Sequence, residues 1–155
     1  LKKRYFLLIV GVVVIFDQII KLTIERTVGL FQNIVVIENF FSITHIRNKG
    51  AAFGILSTFN PGLVLPFFII LTLAALIAIL YLYITMPEEK YFPLIALCLI
   101  FAGALGNFID RLRLGEVVDF LDLHWYQYHW PAFNVADSSI TIGVIIYILS
   151  LIYSR

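Results

Sequence analysis

The sequence predicts an all-α membrane bundle of four transmembrane helices with a small extracytoplasmic β-hairpin, on three observations. Of its 155 residues, 61% are hydrophobic and only 14% are charged, where a soluble domain carries about a quarter charged residues. The apolar residues fall into four long runs, each near the roughly 20 residues that a bilayer core asks of a helix. The runs are continuous rather than alternating, which argues against a membrane β-barrel. The same composition excludes other classes. Fourteen Phe, eight Tyr and two Trp give too much apolar surface for a disordered chain. A net charge of +1 excludes a strongly basic nucleic-acid binder. The single cysteine, Cys98, can form neither an internal disulfide nor a thiolate cluster.

The first helix is expected over about residues 5–23, on an apolar run from Tyr5 to Ile20 that is broken only by Asp17. Lys2, Lys3 and Arg4 before it would suit a cleaved signal peptide, but Asp17, Gln18 and Lys21 stand where small cleavage-site residues belong. A retained helix is therefore expected, and the start at Leu1 rather than Met points to a trimmed or altered beginning. The second helix, about 61–86, is uncharged and long enough to cross with some tilt. After the bare turn Pro87-Glu88-Glu89-Lys90 comes the third, about 91–111, and the fourth covers about 137–154.

Two segments connect the helices on the other side. In the first, a β segment is expected over about 28–56: residues 33–37 and 40–46 have strand character, with Glu38-Asn39 as the turn. The second holds Trp125, Tyr126, Tyr128, Trp130 and Phe133, rings that suit the headgroup level of a bilayer. Basic residues divide five against six between the two sides. The cluster flanking the first helix then decides, placing both termini in the cytoplasm and both segments outside. The whole chain, 1–155, reads as a single membrane-embedded domain.

Charge at membrane depth costs several kcal/mol unless it is paired or hydrated, roughly 2.5–3.5 kcal/mol on insertion scales. Asp17 and Lys21 are four apart and share a helix face, a pair suited to pinning the first helix against a neighbour. On the third helix Gly103, Asn107 and Arg111 stack at four-residue intervals, and Ala102 with Gly106 permits close backbone approach. Plain helix packing, glued by one asparagine and ended by a snorkelling arginine, accounts for that pattern equally well. Cys98 reads as a buried, inert thiol.

Asp119 lies in the apolar string Val117-Val118-Asp119-Phe120-Leu121, where partial desolvation raises a carboxyl pKa. Asp137 precedes the fourth run, an ordinary helix N-cap position. The third helix exits and the fourth enters on one side, so the two aspartates can meet at the bundle's outer edge. A carboxyl pair sharing a site keeps one proton near neutral pH, which is the chemistry of an aspartic protease. Spacing alone leaves the pairing open. His45, His124 and His129 offer neither an i, i+4 pair nor HExxH, so no metal ligands are expected. Ser138 and Ser139 lack a nucleophile elbow. An ion path lined by Asp17, Asp110 and Arg111 is the rival reading, although the chain shows no self-similar halves. A structural adaptor docking through the hairpin is a third.

Five blocks, in order, carry a resemblance. They are Phe16-Asp17-Gln18-Ile19-Ile20-Lys21, Arg47-Asn48-Lys49-Gly50-Ala51-Ala52-Phe53-Gly54, Gly103-Ala104-Leu105-Gly106-Asn107-Phe108-Ile109-Asp110-Arg111, Glu116-Val117-Val118-Asp119-Phe120 and Phe133-Asn134-Val135-Ala136-Asp137-Ser138. Together they span nearly the whole chain and resemble the lipoprotein signal peptidases, or signal peptidase II, of bacteria. The resemblance implies an aspartic endopeptidase of the bacterial cytoplasmic (inner) membrane with a β-cradle and active site at its outer face. Its substrate would be a prolipoprotein cut just before a diacylglyceryl-modified cysteine. It further implies Asp119 and Asp137 as the catalytic dyad, and Asn48, Gly50, Asn107, Arg111 and Asn134 as lining or supporting the substrate site. Asp17, Lys21 and Asp110 are implied as structural support. A monomer among membrane lipids, without cofactor or metal, is expected. Some members carry a basic tail after the fourth helix, whereas this sequence ends at Arg155, which weakens the charge argument for orientation alone.

Overall fold

The structure is a computed structural model describing residues 2–50 and 61–153. The end of the expected outer β segment, including Ala51-Ala52-Phe53-Gly54, lies outside the described residues, as do Ser154 and Arg155. Along the chain run α1 (Lys2–Thr27), β1 (Asn33–Ile37), β2 (Phe41–Asn48), α2 (Pro61–Thr85), α3 (Tyr91–Leu114), β3 (Val117–Trp125), β4 (Tyr128–His129) and α4 (Val135–Tyr153). All four helices are long and apolar enough to cross a membrane, with mean hydropathy between 2.0 and 3.0 over their spans. Side chains such as Leu7, Leu8, Ile15, Ile70 and Ile77 are exposed on their flanks. Apolar surface on this scale needs lipid rather than water.

α3 occupies the centre and packs against α1, α2 and α4. Small residues set its distance from α4. A Cβ at Gly103 would collide with the carbonyl oxygen of Ala136, and one at Gly143 would stand 2.8 Å from the carbonyl oxygen of Ala96. α1 and α3 both run beyond the charged residues that bounded them in the sequence. Charge ends an apolar run without ending a helix, since Arg and Lys are good helix formers and complement the dipole in a last turn. α3 stops instead at Gly115, whose left-handed φ of 75° lets its N–H close on Arg111 O at 3.0 Å.

The four strands form one antiparallel sheet in the order β1-β2-β3-β4. β1 and β2 are the expected hairpin, turning at residues 38–40. β3 and β4 replace what the sequence offered only as an aromatic headgroup segment. The reason is physical: Val117 to Phe120 are buried throughout, and a strand covered on both faces shows no alternation. One face of β3 puts Val118 and Phe120 onto Ile24 and Val28 at the end of α1. Alternation turns Asp119 to the other face.

Candidate active site

The polar residues predicted from the sequence converge where the sheet meets the ends of α1, α3 and α4. At the base lies Lys21, fully buried, with its ammonium 2.8 Å from Asp17 Oδ2 and 2.9 Å from Asp110 Oδ2. Its third proton goes to Asn107 Oδ1 at 2.9 Å, so every donor of the ammonium is used. Both carboxylates have further partners. Asp17 Oδ1 accepts the Ala136 N–H at 2.9 Å and Asp110 Oδ2 the Val118 N–H at 3.1 Å. Gln18, not predicted as a site residue, donates to Asp17 Oδ2, Gly106 O and Asp110 Oδ1. A single buried cation thus joins α1 to α3 and, through its two acids, to the start of α4 and to β3. Leaving those acids unpaired would cost about 3–5 kcal/mol.

Above this base stand Asp119 and Asp137, joined through Asn134. The Asn134 amide donates to Asp119 Oδ1 at 2.7 Å, and its backbone N–H donates to Asp137 Oδ2 at 3.3 Å. Asn134 Oδ1 accepts the Asp137 N–H at 2.9 Å, so the two residues close a reciprocal capping box. The expected N-cap role of Asp137 is thereby corrected. Asn134 caps α4, because a cap must precede the first helical residue, Val135, and Asp137 sits at the third helical position.

Three asparagines hold the carboxylates, and each is turned by what its oxygen accepts. Asn48 Oδ1 takes the Gly50 N–H at 2.8 Å, leaving Nδ2 to donate to Asp119 Oδ2 at 3.0 Å. Gly50 serves that turn with φ 96°, and a Cβ there would run into the Phe68 ring. Asn107 takes the Lys21 ammonium on Oδ1 and gives Nδ2 to Asp137 Oδ1 at 2.7 Å. Asn134 takes the Asp137 N–H and gives Nδ2 to Asp119. Each carboxylate therefore receives two N–H donors. Burial first, and the Asp137 charge second, push the Asp119 carboxyl up to about 7, against the hydrogen bonds of Asn48 and Asn134 and the charge of Lys21.

Asp119 and Asp137 line one open cleft of about 660 Å³ with Asn48, Trp130 and Phe133. Arg111 reaches back to Asn107 O at 3.5 Å and lies 5.0 Å from the Phe68 ring centroid, a cation–π distance. A tie between elements that the sequence did not reveal is Glu25, which holds Arg47 Nη2 at 3.3 Å and pairs with Arg113. The histidines stand apart from the cleft: His45 Nδ1 meets Val28 O at 2.8 Å, while His124 and His129 are paired across β3 and β4.

Fold and site together define a multi-pass membrane protein whose polar machinery gathers at one end around two carboxyl groups. Comparison with known proteins narrows that class. The family model described as "Signal peptidase (SPase) II" matches residues 9–153. The lipoprotein signal peptidase of Geobacter metallireducens is 48% identical over 149 residues, covering 96% of this chain and 91% of that protein. That of Staphylococcus aureus strain JH9 is 47% identical over 154 residues, covering 97% and 91%. Among solved structures, a bacterial membrane enzyme determined by the in meso method at 1.9 Å superposes with a TM-score of 0.85 at 46% identity, covering 97% of this chain and 94% of that one. Another, at 2.3 Å, gives 0.84 at 47%, covering 96% and 87%. The chain belongs to the signal peptidase II family, a family of bacterial membrane proteases.

Proposed function

We propose that residues 1–155 form one membrane-embedded aspartic endopeptidase domain that removes signal peptides from diacylglyceryl-modified prolipoproteins. The supporting observation is Asn134, which touches both carboxyl groups at once and holds them in the lining of one cleft. Asp119, buried and pushed up to about 7, carries the shared proton. Asp137 stands at the N-terminal turn of α4, where the helix dipole favours negative charge. The Asp137 carboxylate takes a proton from water as the water oxygen attacks the scissile carbonyl carbon. Asp119 gives its proton to the carbonyl oxygen, and a tetrahedral diol results. Asp137 then protonates the leaving nitrogen, the C–N bond breaks, and Asp119 recovers a proton from the diol. Both carboxyls return to their starting protonation states, and water is the one co-reactant consumed.

The cleft sits at the sheet end of the bundle; Trp130 lines it, and Trp125, Tyr126 and Tyr128 are exposed on the β3–β4 hairpin. Amphipathic rings prefer the bilayer–water boundary. With the sheet outside and both termini cytoplasmic, a substrate anchored by its lipid presents its scissile bond at that level without leaving the membrane. The lipid-facing helix flanks suit a monomer among bilayer lipids.

Purified protein in detergent, given a lipid-modified precursor, tests the proposal. Asp119→Asn and Asp137→Asn should each lower kcat by at least about 10²–10⁴-fold, the range for general acid–base groups. Wild-type rates in either variant would refute it.

A further inference from the structure

Strand pairing assembles a second cluster of chemically active side chains that helical spacing cannot reveal. Asp122 and His124 stand two apart on β3 and so share a face. His129 is the cross-strand partner of His124, and Ser42 is that of Asp122. All four project from one side of the sheet, and Asp119, an odd number of residues away along β3, projects from the other. One ligand atom each from Asp122, His124 and His129 lie within 4.8 Å of one another.

An ordinary cross-strand hydrogen bond explains only part of this cluster. His129 Nδ1 lies 2.9 and 3.0 Å from the two Asp122 oxygens, which suffices for that pair. The His124 side chain is only 9% exposed, and its Nδ1 is buried 3.8 Å from Asp122 Oδ2. Among the described residues that nitrogen has no hydrogen-bond partner, and the buried Ser42 Oγ opposite Asp122 has none either. Native proteins rarely leave such atoms unserved, and two in one patch need a cause. The two imidazole rings stack at 4.6 Å with planes 17° apart, which puts two nitrogen donor sets side by side above one carboxylate.

We propose that Asp122, His124 and His129 bind a divalent transition-metal ion of the zinc class on the sheet face away from the carboxylate cleft. Imidazole and carboxylate are donors that zinc accepts, with bonds of about 2.0–2.2 Å. Tetrahedral bonds of that length place ligand atoms about 3.4 Å apart, so the widest separation in the cluster must shrink by up to about 1.4 Å. His129 is the mobile partner, since its side chain is 49% exposed and its ring can turn out of the stack. The ion replaces the His129–Asp122 hydrogen bond and gives His124 Nδ1 its partner, with a fourth position left to solvent. It ties β4 to β3 and so steadies the segment bearing Trp130 and Phe133, which line the cleft. The role is structural and takes no part in peptide cleavage.

Full-length protein without a histidine tag, purified in detergent and stripped with chelator, is titrated with Zn²⁺ alone and separately with Co²⁺. The expected result is about one ion per chain, with visible cobalt bands of four-coordinate nitrogen and oxygen ligation and a higher thermal midpoint on adding zinc. His129→Gln and Asp122→Asn should each weaken zinc binding by more than about 100-fold, since even outer-shell losses cost 10–100-fold. Glu89→Gln, on the turn between α2 and α3, should leave binding unchanged. A wild-type chain with neither cobalt bands nor a zinc-induced rise in midpoint overturns the proposal without recourse to any variant. Zinc affinity in both His129→Gln and Asp122→Asn within about threefold of wild type, well inside the expected loss, overturns it as well.

Discussion

At Asp119 the balance of burial against hydrogen bonding has a measurable sign. Its carboxyl holds a proton up to about pH 7 in the folded chain, against about 3.9 when unfolded. The folded state therefore binds that proton more tightly, and the resulting stability is full below about pH 4 and lost as pH rises through about 7. Asp119→Asn, uncharged throughout, should gain in thermal midpoint over wild type as pH rises from about 5 to about 8, read by unfolding in detergent. Asn107→Ala tests positioning: it removes the Nδ2 donor to Asp137 and the Lys21 acceptor. We expect kcat to fall about 10–100-fold, as for other supporting groups around reactive ones, with KM little changed in steady-state cleavage. At this scale the residue types were legible and their orientation was not. Asn48, Asn107 and Asn134 could be named from motif matches, but the groups that turn their amides are Gly50 N–H, Lys21 and Asp137 N–H. Gly50 and Asp137 belong to the same motif blocks as the asparagines they turn, but Lys21 reaches Asn107 from another helix, and the Asn134–Asp137 reciprocity depends on where α4 begins.

Among the elements, the α3–α4 contact sets the geometry of the pair. Ala136 packs on Gly103 and Gly106, one residue before Asp137. Gly103→Ala forces the two backbones apart at that point. It should cost about 1–3 kcal/mol of stability, the usual price of overpacking, together with most of the activity, checked by denaturant unfolding beside the cleavage assay. The helices themselves were plain in the sequence, because a bilayer demands some 20 apolar residues in a row. Their ends were not, since Glu25, Arg26, Arg111 and Arg113 interrupt hydropathy without interrupting hydrogen bonding. β3 was hidden for a different reason. Its partner β2 lies two helices earlier in the chain, and burial on both faces erases the period that would announce a strand. The histidine pair of β3 and β4 was hidden with it, since five residues apart means nothing on a helix and places them directly opposite in a hairpin.

For the molecule as a whole, lipid on the flanks and polar groups at one end divide the work between anchoring and chemistry. On the proposed function, a substrate held by its own acyl chains would arrive at the cleft as a tethered reactant, with an effective concentration far above its bulk value. A precursor peptide lacking the diacylglyceryl group should accordingly be cleaved with kcat/KM at least about 100-fold lower. The buried Lys21 knot supplies the complementary rigidity, tying three helices and the sheet beneath the carboxyl groups. Whether those two groups share one proton is tested most directly by the pH dependence of cleavage with saturating lipid-modified precursor. A bell is expected, its alkaline limb falling through about pH 7, where Asp119 loses its proton. A rate that stays level from about pH 5 to about pH 9, with no limb in the range where a shared proton must leave, would contradict a shared proton.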